Sequence, residues 1–251
     1  MSLANVDIIL LSAGVGKRLG NIGKVKPKSL IVINNETLIS RLIKILIKFK
    51  AKKISILVGY KSYLIKKELN KFKNVNFKYI EINNYRKYGH GLTWYKYKNY
   101  WKEKKKKILL VHTDIIFDEK FIKNILRSKK DNIIGIKDKK RSKMRQSSFV
   151  VDVNSKNQIN KIDYLKNSKK YVGEIIGINK ISGNLMQKIF NFMSMMFKEE
   201  KNKFLSWEQI INQFIIKNKP PLYALNNQVY PWININKISD LKKAIKQFRG
   251  I

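Results

Sequence analysis

The residues with the clearest potential for chemistry stand near the start of the chain. Two glycines, an arginine and a lysine follow one another at short intervals, as Gly14, Gly16, Arg18 and Lys28. Glycines leave backbone N–H groups open to a phosphate. Arginine offers a planar fork of donors, and lysine adds a compact positive charge. Together these residues predict a cradle for the phosphates of a nucleoside triphosphate.

The glycine turn follows an apolar run over residues 6–11, which predicts a short strand buried on both faces. The turn matches neither of two common phosphate-binding loops. A P-loop needs Ser or Thr after Gly-Lys, where this chain has Arg18. A dinucleotide fingerprint needs a third glycine, where this chain has Leu19. On the residues alone, an ordinary strand-to-helix turn remains the alternative.

A single aspartate, Asp114, ends a second apolar run over residues 108–113. In open α/β sheets the carboxyl ends of the strands face the ligand crevice. A carboxylate at such a position is suited to hold Mg²⁺ against triphosphate oxygens. The alternative is a helix cap, although Asp118 already suits the cap of the helix that follows.

The elements that must position these residues alternate along the chain. Short apolar runs predict strands, and stretches with helical spacing, such as residues 38–49, lie between them. This alternation indicates an α/β fold with a mixed, mainly parallel sheet flanked by helices. No internal repeat or low-complexity linker interrupts it, and we expect a single domain over residues 1–251.

The motif Ser-Ala-Gly-x-Gly-x-Arg, with Pro-Lys after it, resembles the signature of the nucleotidyltransferases that activate sugar phosphates and phosphoalcohols. Lys28 follows Arg18 by ten positions, a spacing that favours the sugar-phosphate and phosphocholine branch. Isoprenoid-pathway and molybdopterin relatives place the lysine closer. The resemblance covers nearly the whole chain. It implies the Rossmann-like fold of nucleotide-diphospho-sugar transferases and a transfer that releases pyrophosphate.

The resemblance also implies roles for particular residues. Arg18 and Lys28 would be catalytic, and Asp114 and Asn236 would hold Mg²⁺. The nucleotide contacts would come from Ser12, Ala13, Gly14, Gly16, Gly91 and Thr93. The family usually has Glu-Ile-Asp in its final strand, where this chain has Asn234-Ile235-Asn236. The second metal ligand is therefore an amide oxygen that brings no charge.

Contacts with the acceptor substrate would involve Lys161, in the stretch 159–162, and Glu174, in the predicted strand that begins at Gly173. Each has a simpler alternative. Lys161 is one of many lysines, and Glu174 can be a surface carboxylate of a strand. For the turn at residues 89–94, the alternative is a helix start with a buried structural His90.

The preferred function is transfer of CMP from CTP to a small phosphorylated alcohol, amine or phosphonate. The preference for cytidine depends on residues 89–94 and 173–177. A sugar-1-phosphate nucleotidyltransferase that uses UTP, GTP or dTTP is the nearest alternative. A catalytically silent nucleotide-binding protein is another, because Asn236 replaces an aspartate.

Composition limits the partners that we expect. The chain has 54 lysines and arginines against 17 acidic residues, a net charge of +37. The lysines are spread along the sequence, which indicates compositional bias and a solvated surface. We therefore expect neither nucleic acid nor a membrane as the main partner. The chain has no cysteine and no apolar run long enough to span a bilayer. We read no signal peptide and expect a cytoplasmic enzyme; the sequence does not indicate its oligomeric state.

Overall fold

The computed structural model describes residues 2–101, 106–138, 144–226 and 229–249. The chain forms two compact units, and each is assembled from separate stretches. The first contains residues 1–86, 110–126 and 230–251, and the second contains residues 87–109 and 127–229. The single domain expected from the sequence stays a prediction.

Strands and helices alternate along the chain, as the sequence predicts. The strands are β1 (Val6–Ser12), β2 (Val32–Ile33), β3 (Glu36–Thr37), β4 (Lys53–Val58), β5 (Asn76–Glu81), β6 (Lys107–His112), β7 (Ile115–Phe117), β8 (Ile133–Lys137), β9 (Phe149–Val153), β10 (Ile159–Tyr164), β11 (Gly173–Ile181), β12 (Tyr223–Asn226) and β13 (Trp232–Asn234). The helices are α1 (Asn21–Val25), α2 (Leu38–Lys48), α3 (Ser62–Leu69), α4 (His90–Lys96), α5 (Lys120–Arg127), α6 (Gly183–Met196), α7 (Trp207–Asn218) and α8 (Ile238–Gln247).

Parallel strands form the centre of the first unit. β4 pairs in parallel with both β1 and β5. Ile8, Ile9 and Leu10 of β1 are buried, as expected for a strand that is covered on both faces. The chain that follows β6 reaches the same sheet edge as the end of β1, because the Thr113 hydroxyl donates to the carbonyl of Leu11 at 2.8 Å. The glycine turn and Asp114 therefore lie at one edge of this sheet.

An apolar cluster supports this edge of the first unit. It contains Leu19 from the glycine turn, Ile31 and Ile33 from the segment after Lys28, Ile235 directly after β13, and Phe248 directly after α8. The short strand β13 pairs with β7 in antiparallel fashion. Apolar burial thus holds the beginning, the middle and the end of the chain together near the predicted site.

The second unit contains a mixed sheet. β9 pairs in antiparallel fashion with β10 and β11, and β8 pairs in antiparallel fashion with β11 and in parallel with β12. Helix α7 lies along β10, where the side chain of Asn212 accepts from the backbone N–H of Ile162 at 2.9 Å. The two units together confirm the fold class that the sequence predicts, a mixed, mainly parallel sheet flanked by helices.

Helix starts follow the capping residues of the sequence. Ser206 and Gln209 form a reciprocal capping box at the start of α7. Asp118 Oδ1 accepts from the backbone N–H of Lys120 at 2.8 Å, which makes Asp118 the cap of α5. In the described parts of the chain, no helix combines the length and the hydrophobicity that a bilayer span requires.

The capping box provides a test of the second unit. We expect Ser206→Ala to lower the free energy of unfolding by about 0.5–2 kcal/mol, because the N–H of Gln209 loses its acceptor. Urea denaturation followed by circular dichroism measures the change, and Ser155→Ala in an exposed turn is the control. Equal stability of the two variants would contradict the role of the cap.

Candidate active site

The turn after β1 is fixed by contacts beneath it. Ser12 and Ser29 are buried, and the Ser12 hydroxyl donates to the Ser29 hydroxyl at 2.8 Å. The carbonyl of Ala13 accepts from the backbone N–H of Tyr60 at 3.1 Å. These bonds tie the start of the turn to the segment next to Lys28 and to the chain after β4. These bonds hold the start of the turn in place.

Two glycines allow the chain to pass closely over itself at this turn. Gly16 has a φ of +71°, and a Cβ there would lie 2.7 Å from Cγ of Lys28. A Cβ on Gly23 would lie 2.4 Å from the carbonyl oxygen of Gly16. Real Cβ atoms do not approach other atoms so closely, and the positive φ favours glycine. By contrast, a Cβ on Gly14 would meet no atom within 4 Å, so the space beside Gly14 is open.

Four predicted side chains form one cluster, which we call the phosphate-site cluster: Arg18, Lys28, Asp114 and Asn236. Lys28 Nζ donates to Asp114 Oδ2 at 2.7 Å and to Asn236 Oδ1 at 2.8 Å. Arg18 Nη2 donates to the same oxygen of Asn236 at 2.7 Å. The structure thus brings together the two cations and the two oxygen ligands that the sequence predicts.

Asp114 lies in the cluster because of the strands on either side of it. Its neighbour Thr113 bonds the end of β1, and its own carbonyl accepts from the backbone N–H of Ile235 at 2.8 Å. The capping function considered from the sequence belongs to Asp118, and the carboxylate of Asp114 bonds Lys28 instead.

Asn236 is held by a residue that the sequence reasoning missed. Asp240 Oδ2 accepts from the backbone N–H groups of Asn236 and Lys237, each at 2.9 Å. Asp240 is buried and fixes the chain between β13 and α8. A capping signal was available, because an acid at the third position of a helix often bonds the N–H groups before it.

Gly23 was also missed, although it sits directly under the glycine turn. Its position inside a short helix gives no local reason for glycine. Only the distance to Gly16 reveals its role, and that distance depends on how α1 folds back on the turn.

Electrostatics keep Asp114 ionised. Burial is the largest single influence and acts to raise the pKa of Asp114, but the ammonium of Lys28, the charge of His112 and the hydrogen bonds to the carboxylate together outweigh it. The pKa of Asp114 is therefore lower than its ordinary value. Only 14% of the Lys28 side chain and 23% of the Asp114 side chain are exposed, so solvent screens the pair less than a surface ion pair.

The oxygen atoms of the cluster could ligate Mg²⁺, provided that other groups complete the coordination. The described residues contain no group of three or more His, Cys, Asp or Glu side chains placed to hold a metal ion. Asp114 and Asn236 supply oxygens only, from one carboxylate and one amide. Mg²⁺ takes oxygen ligands and is often held by one or two carboxylates together with substrate phosphates and water. The residues therefore fit a Mg²⁺ ion that a bound polyphosphate helps to ligate.

Gly91 and Thr93, predicted to contact the nucleotide, lie in α4 of the second unit. The N–H of Gly91 donates to the carbonyl of Leu205, and a Cβ on Gly91 would lie 2.8 Å from that backbone carbonyl oxygen. Gly91 is thus needed for close packing, and Thr93 is buried. The nucleotide-binding role of both residues stays a prediction. His90 is not buried; its side chain is 38% exposed and lies 3.0 Å from Glu208.

Lys161 and Glu174, predicted to contact the acceptor, lie on strands that flank β9. Lys161 is opposite Asp152, and Glu174 is opposite Val150. Because residues 150 and 152 project to one face of β9, Lys161 and Glu174 share that face. Lys161 forms an ion pair with Asp163 at 2.9 Å. The carboxylate of Glu174 accepts from the hydroxyl of Ser148 at 2.6 Å. Their role toward an acceptor stays a prediction.

A family model described as nucleotidyl transferase matches residues 7–164 of the chain. This range includes the glycine turn, Lys28 and Asp114, and it covers more than half of the sequence. No curated protein matches the chain in sequence.

Solved structures resemble the chain over nearly its full length. CTP:phosphocholine cytidylyltransferase from Streptococcus pneumoniae is similar with a TM-score of 0.80 and 18% identity, over 97% of this chain and 99% of that one. The inositol-1-phosphate CTP transferase from T. maritima has a TM-score of 0.78 and 18% identity, over 100% and 99%. A protein described as a glucose-1-phosphate thymidylyltransferase from Bacillus anthracis has a TM-score of 0.80 and 17% identity, over 98% and 96%. These similarities show a common fold.

The ion pair of Asp114 predicts a dependence of stability on pH. Because the folded pKa of Asp114 is lowered, the stabilisation is complete above the unfolded pKa of about 3.9. It is lost as the pH falls through the folded pKa. We expect the wild type to exceed Asp114→Asn in unfolding free energy at pH 7, and the difference to shrink below about pH 4.

Urea titrations between pH 7 and pH 2.5 measure this difference. Asp131→Asn is the control, since more than half of the Asp131 side chain is exposed in its ion pair with Lys107 and such pairs contribute little. A difference for Asp114→Asn that is independent of pH would contradict the ion pair.

Proposed function

Because the chain belongs to the nucleotidyl transferase family, we propose that it transfers CMP from CTP to a small phosphorylated alcohol, amine or phosphonate. Pyrophosphate is the second product. The observation that supports this proposal most directly is the phosphate-site cluster, in which Arg18 and Lys28 meet the oxygens of Asp114 and Asn236. Such a set suits a polyphosphate and the cation that accompanies it.

The proposed reaction is a single displacement at the α-phosphorus of the triphosphate. A phosphate or phosphonate oxygen of the acceptor forms the new bond to that phosphorus. The bond from the α-phosphorus to the bridging oxygen breaks, and pyrophosphate leaves with its electron pair. The attacking oxygen is already an anion, so no protein nucleophile is needed. Catalysis then consists of positioning and charge stabilisation.

The cations of the cluster have separate tasks in this proposal. Arg18 has several donors in one plane and binds the β- and γ-phosphates beside the open space at Gly14. Lys28 carries a compact charge and stabilises the negative charge that builds up around the α-phosphate. The ordered turn over Ser12 and Ala13 keeps both at the end of β1.

Asp114 and Asn236 would hold Mg²⁺ in the proposed enzyme. A bound Mg²⁺ neutralises phosphate oxygens and orients the leaving pyrophosphate. The residues themselves supply one negative charge and one dipole, and Asp240 keeps the amide of Asn236 in place through the backbone.

CTP is proposed because two of the similar structures are proteins that use CTP, one with phosphocholine and one with inositol 1-phosphate. The turn at residues 89–94 favours the same choice. A sugar-1-phosphate nucleotidyltransferase is the second candidate, because the Bacillus anthracis protein has an equal TM-score. A cytoplasmic location without a nucleic-acid or membrane partner stays a prediction.

Pyrophosphate release tests the function. The protein is incubated with Mg²⁺, each of the four triphosphates and a panel that contains phosphocholine, other phosphoalcohols, a phosphonate and sugar 1-phosphates. Release with CTP and a phosphoalcohol, phosphoamine or phosphonate supports the proposal. Release only with a sugar 1-phosphate supports the second candidate. Triphosphate binding without release in any combination would contradict both and indicate a silent nucleotide-binding protein.

Removal of the Lys28 charge is expected to reduce turnover strongly. In Lys28→Met the α-phosphate loses a positioned cation, and we expect kcat/KM to fall by at least about 100-fold. The matched control is Lys24→Met, which removes the same charge from an exposed side chain and is expected to stay within about twofold of the wild type. Equal rates for Lys28→Met and Lys24→Met would remove Lys28 from the site.

Replacement of the amide by a carboxylate is expected to change the Mg²⁺ requirement. In Asn236→Asp a full charge replaces a dipole, so the half-saturating Mg²⁺ concentration should fall about tenfold. The control is Asn70→Asp, the same change at an exposed position outside the cluster. An unchanged Mg²⁺ requirement in Asn236→Asp would show that Asn236 is not a ligand.

A further inference from the structure

The ammonium of Lys28 bonds the two oxygens that are assigned to the metal. Its Nζ lies 2.7 Å from Asp114 Oδ2 and 2.8 Å from Asn236 Oδ1. An ammonium donates three hydrogen bonds and has no acceptor, so it satisfies a carboxylate and an amide oxygen much as a small cation does. Lys28 thus serves as a counter-ion of Asp114.

This position of Lys28 competes with a divalent ion. The Oδ1 of Asn236 accepts from both Lys28 and Arg18, and a carbonyl oxygen has two lone pairs. Both lone pairs are therefore used by cationic donors. A Mg²⁺ ion would need to approach the same oxygen to about 2.0–2.1 Å. At least one of the two donors must leave before that can happen.

The net charge of the cluster also disfavours a divalent ion that binds alone. Arg18 and Lys28 are positive, Asp114 is negative and Asn236 is neutral, so the phosphate-site cluster carries one net positive charge. A divalent cation alone is repelled by this charge, whereas a polyphosphate is attracted. An aspartate at position 236 would bring the net charge of the cluster to zero.

We propose that Lys28 is a built-in cation of the site, which neutralises Asp114 until its ammonium is transferred to a polyphosphate. Mg²⁺ then binds together with the nucleotide and not before it. This inference rests on the proposed function and adds an order of binding to it. By linkage, whatever draws Lys28 away from Asp114 strengthens metal binding, and the reverse holds equally.

The geometry of the turn limits where Lys28 can go. The Cγ of Lys28 passes so close to Gly16 that a Cβ there would lie 2.7 Å away. The stem is therefore held against the glycine turn, and rotation about its outer bonds moves the ammonium. Such a rotation exchanges the oxygens of Asp114 and Asn236 for the oxygens of a phosphate beside the turn.

The test uses two probes and no turnover. Binding of Mn²⁺ alone is followed by electron paramagnetic resonance. Binding of inorganic tripolyphosphate in the presence of a chelator is followed by calorimetry. The proteins are the wild type, Lys28→Met and the matched control Lys24→Met.

We expect the Lys28→Met substitution to shift the two affinities in opposite directions. Removal of a unit charge a few ångströms from the metal position should raise Mn²⁺ affinity by about tenfold or more. The same substitution should lower tripolyphosphate affinity about tenfold, while Lys24→Met changes each by less than about twofold. A purely structural role of Lys28 would lower both affinities. A fall or no change in Mn²⁺ affinity would overturn the proposal.

Asn236→Asp provides an independent test with the same Mn²⁺ probe if Lys28→Met does not fold. The added carboxylate should raise the affinity for Mn²⁺ alone, since it cancels the net charge of the cluster, and no rise would overturn the charge argument. Neither probe includes an acceptor or a base. If Lys28→Met shifts the Mn²⁺ and tripolyphosphate affinities in opposite directions but the wild type releases no pyrophosphate, the inference about Lys28 is supported. Only the proposed transferase function is then overturned.

Discussion

The bond between Lys28 and Asp114 is the contact on which the rest of the site depends. Lys28 follows the glycine turn and Asp114 follows β6, so the bond exists only if two strands end at the same edge of a sheet. Burial makes it consequential, because a poorly solvated ammonium or carboxylate without a partner is costly. The apolar cluster that contains Leu19, Ile31 and Ile235 holds the surrounding segments at the required spacing.

The sequence predicted the parts of this arrangement that depend on local pattern. Apolar runs placed the strands, and the rule that parallel strands end at one edge brought Asp114 toward the glycine turn. The types of residue at Gly16, Arg18 and Lys28 indicated phosphate chemistry before any geometry was known. The strand predictions succeed because strand periodicity is encoded within a few residues of each position, whereas the phosphate-binding role of the turn stays a prediction.

The contacts that could not be predicted from the sequence join positions that are far apart along the chain. Arg18 bonds Asn236, 218 residues further along the chain, and no local pattern encodes that distance. Gly23 is needed for a close approach to Gly16 that arises only after α1 folds back. Gly91 is a second case, because its N–H is bonded to the carbonyl of Leu205, more than 100 residues further along the chain. Composition and spacing specify which groups are present, and packing decides which remain available.

The amide at position 236 is best understood from the charges around it. A second carboxylate would bind Mg²⁺ more firmly but would also cancel the positive charge that attracts a polyphosphate. With an amide, Arg18 and Lys28 share one oxygen acceptor and keep their combined charge in excess of that of Asp114. The net charge of +37 of the whole chain adds to this attraction at long range. Since a triphosphate supplies several of the oxygens that Mg²⁺ needs, the proposed order of binding, with the polyphosphate before the metal, would require only a single carboxylate from the protein.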